Sequence, residues 1–436
     1  MAFFSGEDQD RGYAALGAAD GWSTVAERAF SDLFAERGWG ATRLPFPEAY
    51  PGARFLPREP GAVAGEHPTA PPLHLSFRPL SRFALLKGAS TFYALPWRAP
   101  LITRRFARNA PIQSNIAHML SLPDEIWTSS AYAAGVLRAA GVAHVHAMPA
   151  PLPKAAPDRE AALSLSGELL RIDAFRPSAD GAAGRPARVA DLANGRDPLF
   201  VAVVDPADPA DNLETLLRGF VAAGTAARLV VVLAGEGRRG ADQPAAIAAR
   251  LAHRLEDDAD LISDRVLLLD GVPPLDALAG LFALADVYLS AASAADQNLP
   301  LLMAMAAGAL PVAVRATAMA DYLDDANSIA IAAEPGLLET VDPRLAGLVP
   351  TMPAELPSVR SVAEACRAAT ALAPETRAAR VAAARAAAAR FSAEAVAERV
   401  EARLEARAAV RRAAESASQP PLLGPRTPEA TLRSAH

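Results

Sequence analysis

Leu199-Phe-Val-Ala-Val-Val204 and Arg228-Leu-Val-Val-Val-Leu233 decide the fold class. Each is a short, nearly unbroken apolar run, and the segment Leu213–Ala223 between them carries helical periodicity. Strands that are apolar on both faces belong to a parallel sheet covered by helices on each side. The alternation continues through helix Pro244–Leu255, strand Arg265–Leu269, helix Leu275–Leu284, strand Val287–Leu289, helix Leu299–Ala307 and strand Leu310–Val314. It predicts one α/β domain, a doubly wound parallel sheet over residues 198–345.

Upstream the same alternation returns in weaker form. Tyr13-Ala-Ala-Leu-Gly17 reads as a short buried strand, followed by a turn through Gly21 and a helix to about Arg37, with Thr24-Val-Ala-Glu27 as its capping box. Further short apolar runs at Leu73–Phe77, Thr91–Leu95, Glu125–Ser129 and Ala143–Met148 are separated by helical stretches such as Leu101–Leu120 and Ala131–Ala140. They predict a second doubly wound, Rossmann-like domain over 1–150. Residues 151–197 hold no period, are rich in Pro, Gly and Ala, and read as an interdomain connection with an insertion. Residues 346–414 are Ala/Arg-rich helices, expected to pack back on the first domain, with Val396, Val400, Leu404 and Ala408 as an apolar stripe on the last of them. Residues 415–436 read as a disordered Ser/Pro-rich tail.

Composition narrows the function classes. With 436 residues, 51% of them hydrophobic, the chain is long enough for two cores. A formal net charge of −6 and the absence of a basic motif with interleaved aromatics argue against nucleic acid as a partner. One cysteine, Cys366, leaves no intrachain disulfide and no multi-cysteine zinc site, and fits a reducing cytoplasmic setting. His144 and His146 alternate without a defined carboxylate partner, so no metal is expected. No basic, then apolar, leader opens the sequence, and no apolar run approaches the ~20 residues that span a bilayer. Any meeting with a membrane is therefore expected to be peripheral, at the inner face. Arg104, Arg105 and Arg108, or Arg399, Arg403, Arg407 and Arg411, could serve such a contact, though solvated or packed helix faces explain them as well.

Several stretches of the second half resemble glycosyltransferase family 4, retaining enzymes of the GT-B fold. Asn212-Leu-Glu-Thr-Leu-Leu-Arg-Gly-Phe220 is similar to the family's first donor-domain helix, and Leu229–Gly237 to its strand and glycine turn. Val272–Ser290 resembles a third stretch, and Gln297-Asn-Leu-Pro-Leu-Leu-Met-Ala-Met-Ala-Ala-Gly-Ala-Leu-Pro-Val312 resembles the signature that contacts the donor. In the first half, Leu120–Ser130 with Leu137–Gly141 and Val145–Pro151 is similar to the end of the acceptor domain, and Arg390–Glu394 to the start of a closing helix that crosses back.

The resemblance implies two Rossmann-like domains facing across a cleft. It also implies transfer of a sugar from a nucleotide-sugar donor to a glycan or lipid-linked acceptor, with retention, in polysaccharide or other glycan biosynthesis, without a cofactor. It carries the donor site onto Asn212, Gly235, Glu236, Arg238, Asp296, Gln297, Asn298, Leu299 and Arg315.

The match departs from the family where the chemistry is. A cation at the diphosphate is replaced by Asp211, and the two glutamates that hold sugar and ribose hydroxyls fall on Ala295 and Met303. A carboxylate repels a diphosphate, and each lost carboxylate-to-hydroxyl hydrogen bond is worth about 1.5–3 kcal/mol. Asp296, Gln297 and Asn298 are the candidates to take over hydroxyl contacts, and Arg238 or Arg315 to supply charge. Gly235-Glu-Gly237 suits a phosphate loop or an ordinary tight turn equally well. Gly21, Trp97 and Arg98, near strand ends, are acceptor-side candidates, with surface packing as the alternative for the last two. His74, inside an apolar run, reads as a satisfied core histidine. No catalytic residue is identifiable, and a catalytically silent GT-B protein that binds a glycan, nucleotide or partner is the rival expectation.

Overall fold

A computed structural model describes residues 2–6, 11–18, 21–44, 53–54, 72–79, 82–86, 88–102, 115–170, 185–193, 195, 197–235, 265–339 and 351–418. In the first lobe the strands are β1 (Ala2–Ser5), β2 (Ala41–Arg43), β3 (Ala53–Arg54), β4 (Leu73–Ser76), β5 (Leu85–Leu86), β6 (Ser90–Leu95), β7 (Glu125–Thr128) and β8 (Val145–Ala147). Six of these form a parallel sheet in the order β2-β1-β4-β6-β7-β8, while β3 and β5 make a small antiparallel ribbon. Helix Trp22–Glu36 lays Phe30, Leu33 and Phe34 in the core, where Phe30 meets Phe77 and Trp127 and Phe34 meets Phe4.

The second lobe holds β9 (Ser166–Leu170), β10 (Arg185–Arg188), β11 (Leu199–Val204), β12 (Arg228–Leu233), β13 (Val266–Asp270), β14 (Val287–Ser290), β15 (Leu310–Ala313) and β16 (Ile329–Ala330). Their order is β10-β9-β13-β12-β11-β14-β15-β16. From β13 through β16 every pairing is parallel, which explains the unbroken Val/Leu runs: both faces are buried. Helix Leu213–Ala222 packs Leu216, Leu217 and Phe220 against this sheet, with Phe220 edge-on to Phe200.

Four local expectations are corrected. Tyr13–Gly17 is no strand: Gly12–Ala15 is a 3-10 turn, and the opening strand is Ala2–Ser5, whose run is too short for periodicity to single it out. The helix begins at Trp22 with no side-chain cap, so Thr24 and Glu27 lie inside it, and Glu27 is buried. Residues 151–197 are more than a connection, because β9 joins the second sheet antiparallel to β13 and β10 pairs antiparallel with β9 beyond it. Helix Val359–Thr370 packs on Leu213–Ala222, and helix Pro374–Ala389 on Leu299–Ala307, so both cover the second lobe rather than the first. Cys366 is buried in that contact. The helix expected at Pro244–Leu255, the cluster Arg104, Arg105 and Arg108, and the tail beyond Ser418 lie outside the described residues.

An antiparallel hairpin unforeseen in the sequence, β17 (Ala333–Glu339) with β18 (Thr351–Pro357), follows the second sheet. Its Leu338 and Met352 join the buried cluster of the first lobe, with Tyr93, Leu95, Trp97, Ile126 and Leu137. Among the described residues, no helix is long and apolar enough to cross a membrane.

His74 is the core histidine its surroundings predict. It is fully buried, with Nε2 2.9 Å from the Ser5 hydroxyl and Nδ1 3.3 Å from the Thr91 hydroxyl. Burial, reinforced by the nearby Arg78 cation, pushes its pKa from 6.5 down to about 4. Between those two values the unfolded chain takes up a proton that the native protein refuses, so stability falls as pH drops from 6.5 toward 4. The difference should reach about 3 kcal/mol near the lower limit. Urea unfolding at pH 7 and pH 4 should show that loss in the native protein and a smaller one in His74→Gln.

Candidate functional site

The strand ends of both sheets converge on one cavity of about 80 Å³. From the second lobe it takes Val203 and Val204 at the end of β11 and Ser290 at the end of β14. Those strands are neighbours at the point where strand order reverses, with β12 on one side of β11 and β14 on the other. In open α/β sheets that crevice is where ligands bind. From the first lobe come Ala15–Ala18, Gly21 and Trp22, in the segment after β1, and Arg98, just after β6. β1 is likewise flanked on both sides, by β2 and β4. A larger groove of about 320 Å³, lined by Lys154, Arg385, Glu394 and small side chains, gathers no strand ends of either sheet and is not the candidate.

Gly17 lets the two lobes approach. It sits at φ 76°, and a Cβ there would come within 2.5 Å of Val203 on β11.

The structure brings Gly21, Arg98, Asp296, Gln297, Asn298 and Leu299 together at this cavity. Their roles differ from those the sequence suggests. Gln297 is 1% exposed and its carboxamide is spent on structure: Oε1 accepts from Trp22 Nε1 at 3.1 Å and from the Ala150 amide at 2.9 Å, while Nε2 donates to the Ala150 carbonyl at 2.9 Å. Its own carbonyl accepts from the Tyr322 hydroxyl at 2.9 Å. It joins the lobes, and three of the four hydrogen-bonding positions of its carboxamide are taken by the protein. Asn298, left-handed at φ 53°, caps helix Leu299–Ala307 by accepting from Leu301 N at 3.2 Å. Pro300 brings no amide, so the first turn offers an anion less than an ordinary helix N-terminus does.

Four proposed site residues are not in the cavity wall. Asn212 is a buttress, with Nδ2 directed to the carbonyls of Ala210 and Ala291 and to the Ser293 hydroxyl. Arg315 pairs with Asp325 at 2.6 Å and donates to the Asp324 and Ser328 carbonyls, so it fastens its own loop and supplies no charge to the site. Trp97 belongs to the hydrophobic cluster of the first lobe. Gly235 follows β12 at φ 92°, where a Cβ would stand 3.2 Å from Asp205. Glu236 and Arg238 lie outside the described residues. Of the two family glutamate positions, Ala295 lines the cavity and Met303 is buried away from its wall.

What sequence reading missed is Asp208, which stands beside the two carboxylates it did name. Asp208 and Asp211 line the cavity with Asp296, and Asp208 forms a close salt bridge with Arg98 across the lobes. Asp208 also accepts from the Ala210 amide at 3.0 Å, while Asp211 accepts from the Asp205 amide at 2.6 Å. Burial acts to lower the Arg98 pKa, but Asp208, Asp296 and Asp211 outweigh it and hold the guanidinium firmly charged. Burial, then the neighbouring Asp208, raises the Asp211 carboxyl well above the ordinary range, against the opposing pull of the Asp205 amide and Arg98. The clue was present in Asp205-Pro-Ala-Asp-Pro-Ala-Asp211, whose acidic residues recur every third position around a turn. Among the described residues, no group of three His, Cys, Asp or Glu side chains is placed to hold a metal ion.

No protein-family model and no curated protein matches the chain. Solved structures do. Sucrose-phosphate synthase of Thermosynechococcus elongatus is similar at TM-score 0.57 and 14% identity, over 94% of this chain and all of that one. HepE of Anabaena, solved with UDP and glucose, is similar at TM-score 0.53 and 12% identity, over 93% and 100%. TarM of S. aureus, solved with UDP, is matched at TM-score 0.46 and 11% identity over 75% of this chain; the chain spans 54% of its length. At 12–14% identity the first two likenesses show the fold alone, the two Rossmann-like lobes of GT-B glycosyltransferases.

Replacing Gln297 by Leu would leave the Ala150 amide, the Ala150 carbonyl and the Trp22 indole N–H buried without partners. Each such orphan costs about 1–3 kcal/mol. Chemical denaturation of Gln297→Leu should show a loss of at least about 3 kcal/mol.

Proposed function

We propose that this chain is a glycosyltransferase. It takes a nucleotide-sugar donor on the second-lobe side of the interlobe cavity and transfers the sugar to a glycan or lipid-linked acceptor presented by the first lobe. One observation carries this: the cavity lies where strand order reverses in the second sheet and is closed from the first lobe by the segment after β1. A single pocket fed by two such sheet edges can hold donor and acceptor against one another, which removes much of the entropic barrier to group transfer.

In the transfer, the bond from the anomeric carbon to the donor phosphate oxygen breaks, a bond to the acceptor hydroxyl oxygen forms, and the proton of that hydroxyl passes to the departing phosphate. Negative charge builds on the departing phosphate, and Arg98 is the cation that the described cavity wall offers it. Asp208, Asp211 and Asp296 are hydroxyl acceptors, the chemistry for which family 4 uses its two glutamates. The activity belongs to family 4 on the resemblance of residues 297–312, and retention of configuration and a place in glycan biosynthesis follow from that resemblance. No metal enters the scheme.

A catalytically silent GT-B protein is the second reading. It is favoured by the spent Gln297 carboxamide, by the Arg98–Asp208 pair and by a cavity of only about 80 Å³, where sites for small ligands commonly have about 300–1,000 Å³.

Calorimetric titration with UDP-, GDP-, ADP- and CDP-sugars, followed by assays for release of the free nucleotide, separates the two. Binding of one nucleotide class with turnover is expected. Absence of binding across the panel would leave the silent protein.

A further inference from the structure

Several contacts among the described residues join the lobes beside or near the cavity. Trp22 and Ala150 bond to Gln297, Ser129 donates to the Asp296 carbonyl, and Asp321 accepts from the Ala131 and Tyr132 amides at 2.6 and 3.2 Å. To these is added Arg98 with Asp208. Only this last one is an ion pair whose two members both line the cavity. It is also the one that an anionic ligand can compete for, because phosphate oxygens fit the guanidinium fork as a carboxylate does.

Resting on the donor reading above, we propose that Arg98 is the donor's phosphate-binding residue, held in reserve by Asp208. Donor binding then exchanges carboxylate for phosphate on one guanidinium and unfastens the lobes by the same step. The pair is desolvated, with side chains 18% and 2% exposed, so neither partner can leave it without a replacement. A diphosphate supplies that replacement to Arg98. Asp208, once released, keeps its contact with the Ala210 amide.

The size of the cavity fits the exchange. About 80 Å³ is too little for a nucleotide sugar, so the lobes must part for the donor to enter, and the ion pair is the contact in the cavity wall that donor charge can break. The raised pKa of Asp211 works in the same direction, since a carboxyl that holds its proton more tightly repels the arriving phosphate less.

An unusual outcome follows: removing an ionic contact to the cation of the described cavity wall should improve binding of an anion. Asp208→Asn is isosteric and retains an oxygen for the Ala210 amide. Titrated with UDP, GDP, ADP and CDP, it should bind the preferred diphosphate about tenfold or more tighter than the native protein does. Arg98→Gln should bind it about tenfold or more weaker, and the double variant should match Arg98→Gln. Hydrogen exchange should quicken in residues 205–212 of Asp208→Asn while β11 and β12 keep native protection.

Diphosphate binding that is indifferent to both substitutions would overturn the role of Arg98 and leave the donor reading standing. Failure of every diphosphate to bind the native protein and Asp208→Asn alike would remove the donor reading and this inference with it. Unchanged exchange in residues 205–212 would sink the latch whatever the titrations give.

Discussion

A buried carboxamide has four hydrogen-bonding positions, and a fold that buries one must supply partners from whatever lies nearby. At Gln297 three of those partners lie outside its own lobe: the Ala150 amide and carbonyl, where the chain leaves the first sheet, and the indole of Trp22. In a region this dry, the relative placement of the two sheets is set by the reach of one side chain. Neighbouring features conform to that spacing. Gly17 has no side chain where Val203 comes close, the Ser129 hydroxyl reaches the Asp296 carbonyl, and Asp321 covers the start of helix Ala131–Ala139.

Charge around the cavity runs opposite to the usual arrangement for a diphosphate. The second lobe brings carboxylates to the end of its central strand, and the compensating cation arrives from the first. Electrostatic complementarity is thus divided between lobes and depends on how they sit, whereas a lysine on the donor lobe would be independent of it. Such division couples what is bound to how the lobes are posed, which is the ordinary physical basis of a linkage between binding and conformation.

Much of the fold was legible, and the reasons are local. β11 and β12 stand out because both faces are buried, and the segment around Leu299–Ala307 because its apolar helix is closed by Gly308 in the left-handed region. β1 was not legible: four residues carry too little pattern, and the neighbouring Tyr13–Gly17 mimics a strand. β9 and β10 escaped because Ser166-Gly-Glu-Leu-Leu170 and Arg185-Pro-Ala-Arg188 are short runs rich in polar residues, Gly and Pro, which look like linker. At the site, positions were legible and functions were not. Gln297, Asn298 and Leu299 reach the cavity as the motif implies, but whether a carboxamide is free or spent depends on contacts from residues 22 and 150, which no local pattern encodes. Asp208 drew no notice in the sequence, because its partner Arg98 lies 110 residues away.

The hairpin of β17 and β18 puts a constraint on biosynthesis. Tyr93, Leu95 and Ile126 of the first lobe share a buried cluster with Leu338 and Met352. As the ribosome releases the chain from its amino end, those side chains emerge long before the strands that cover them. The first sheet must therefore wait with part of its apolar face wet, and its final burial is tied to the arrival of the second lobe. Sequence-distant closure of this kind slows folding and lengthens the interval in which a nascent chain can associate wrongly.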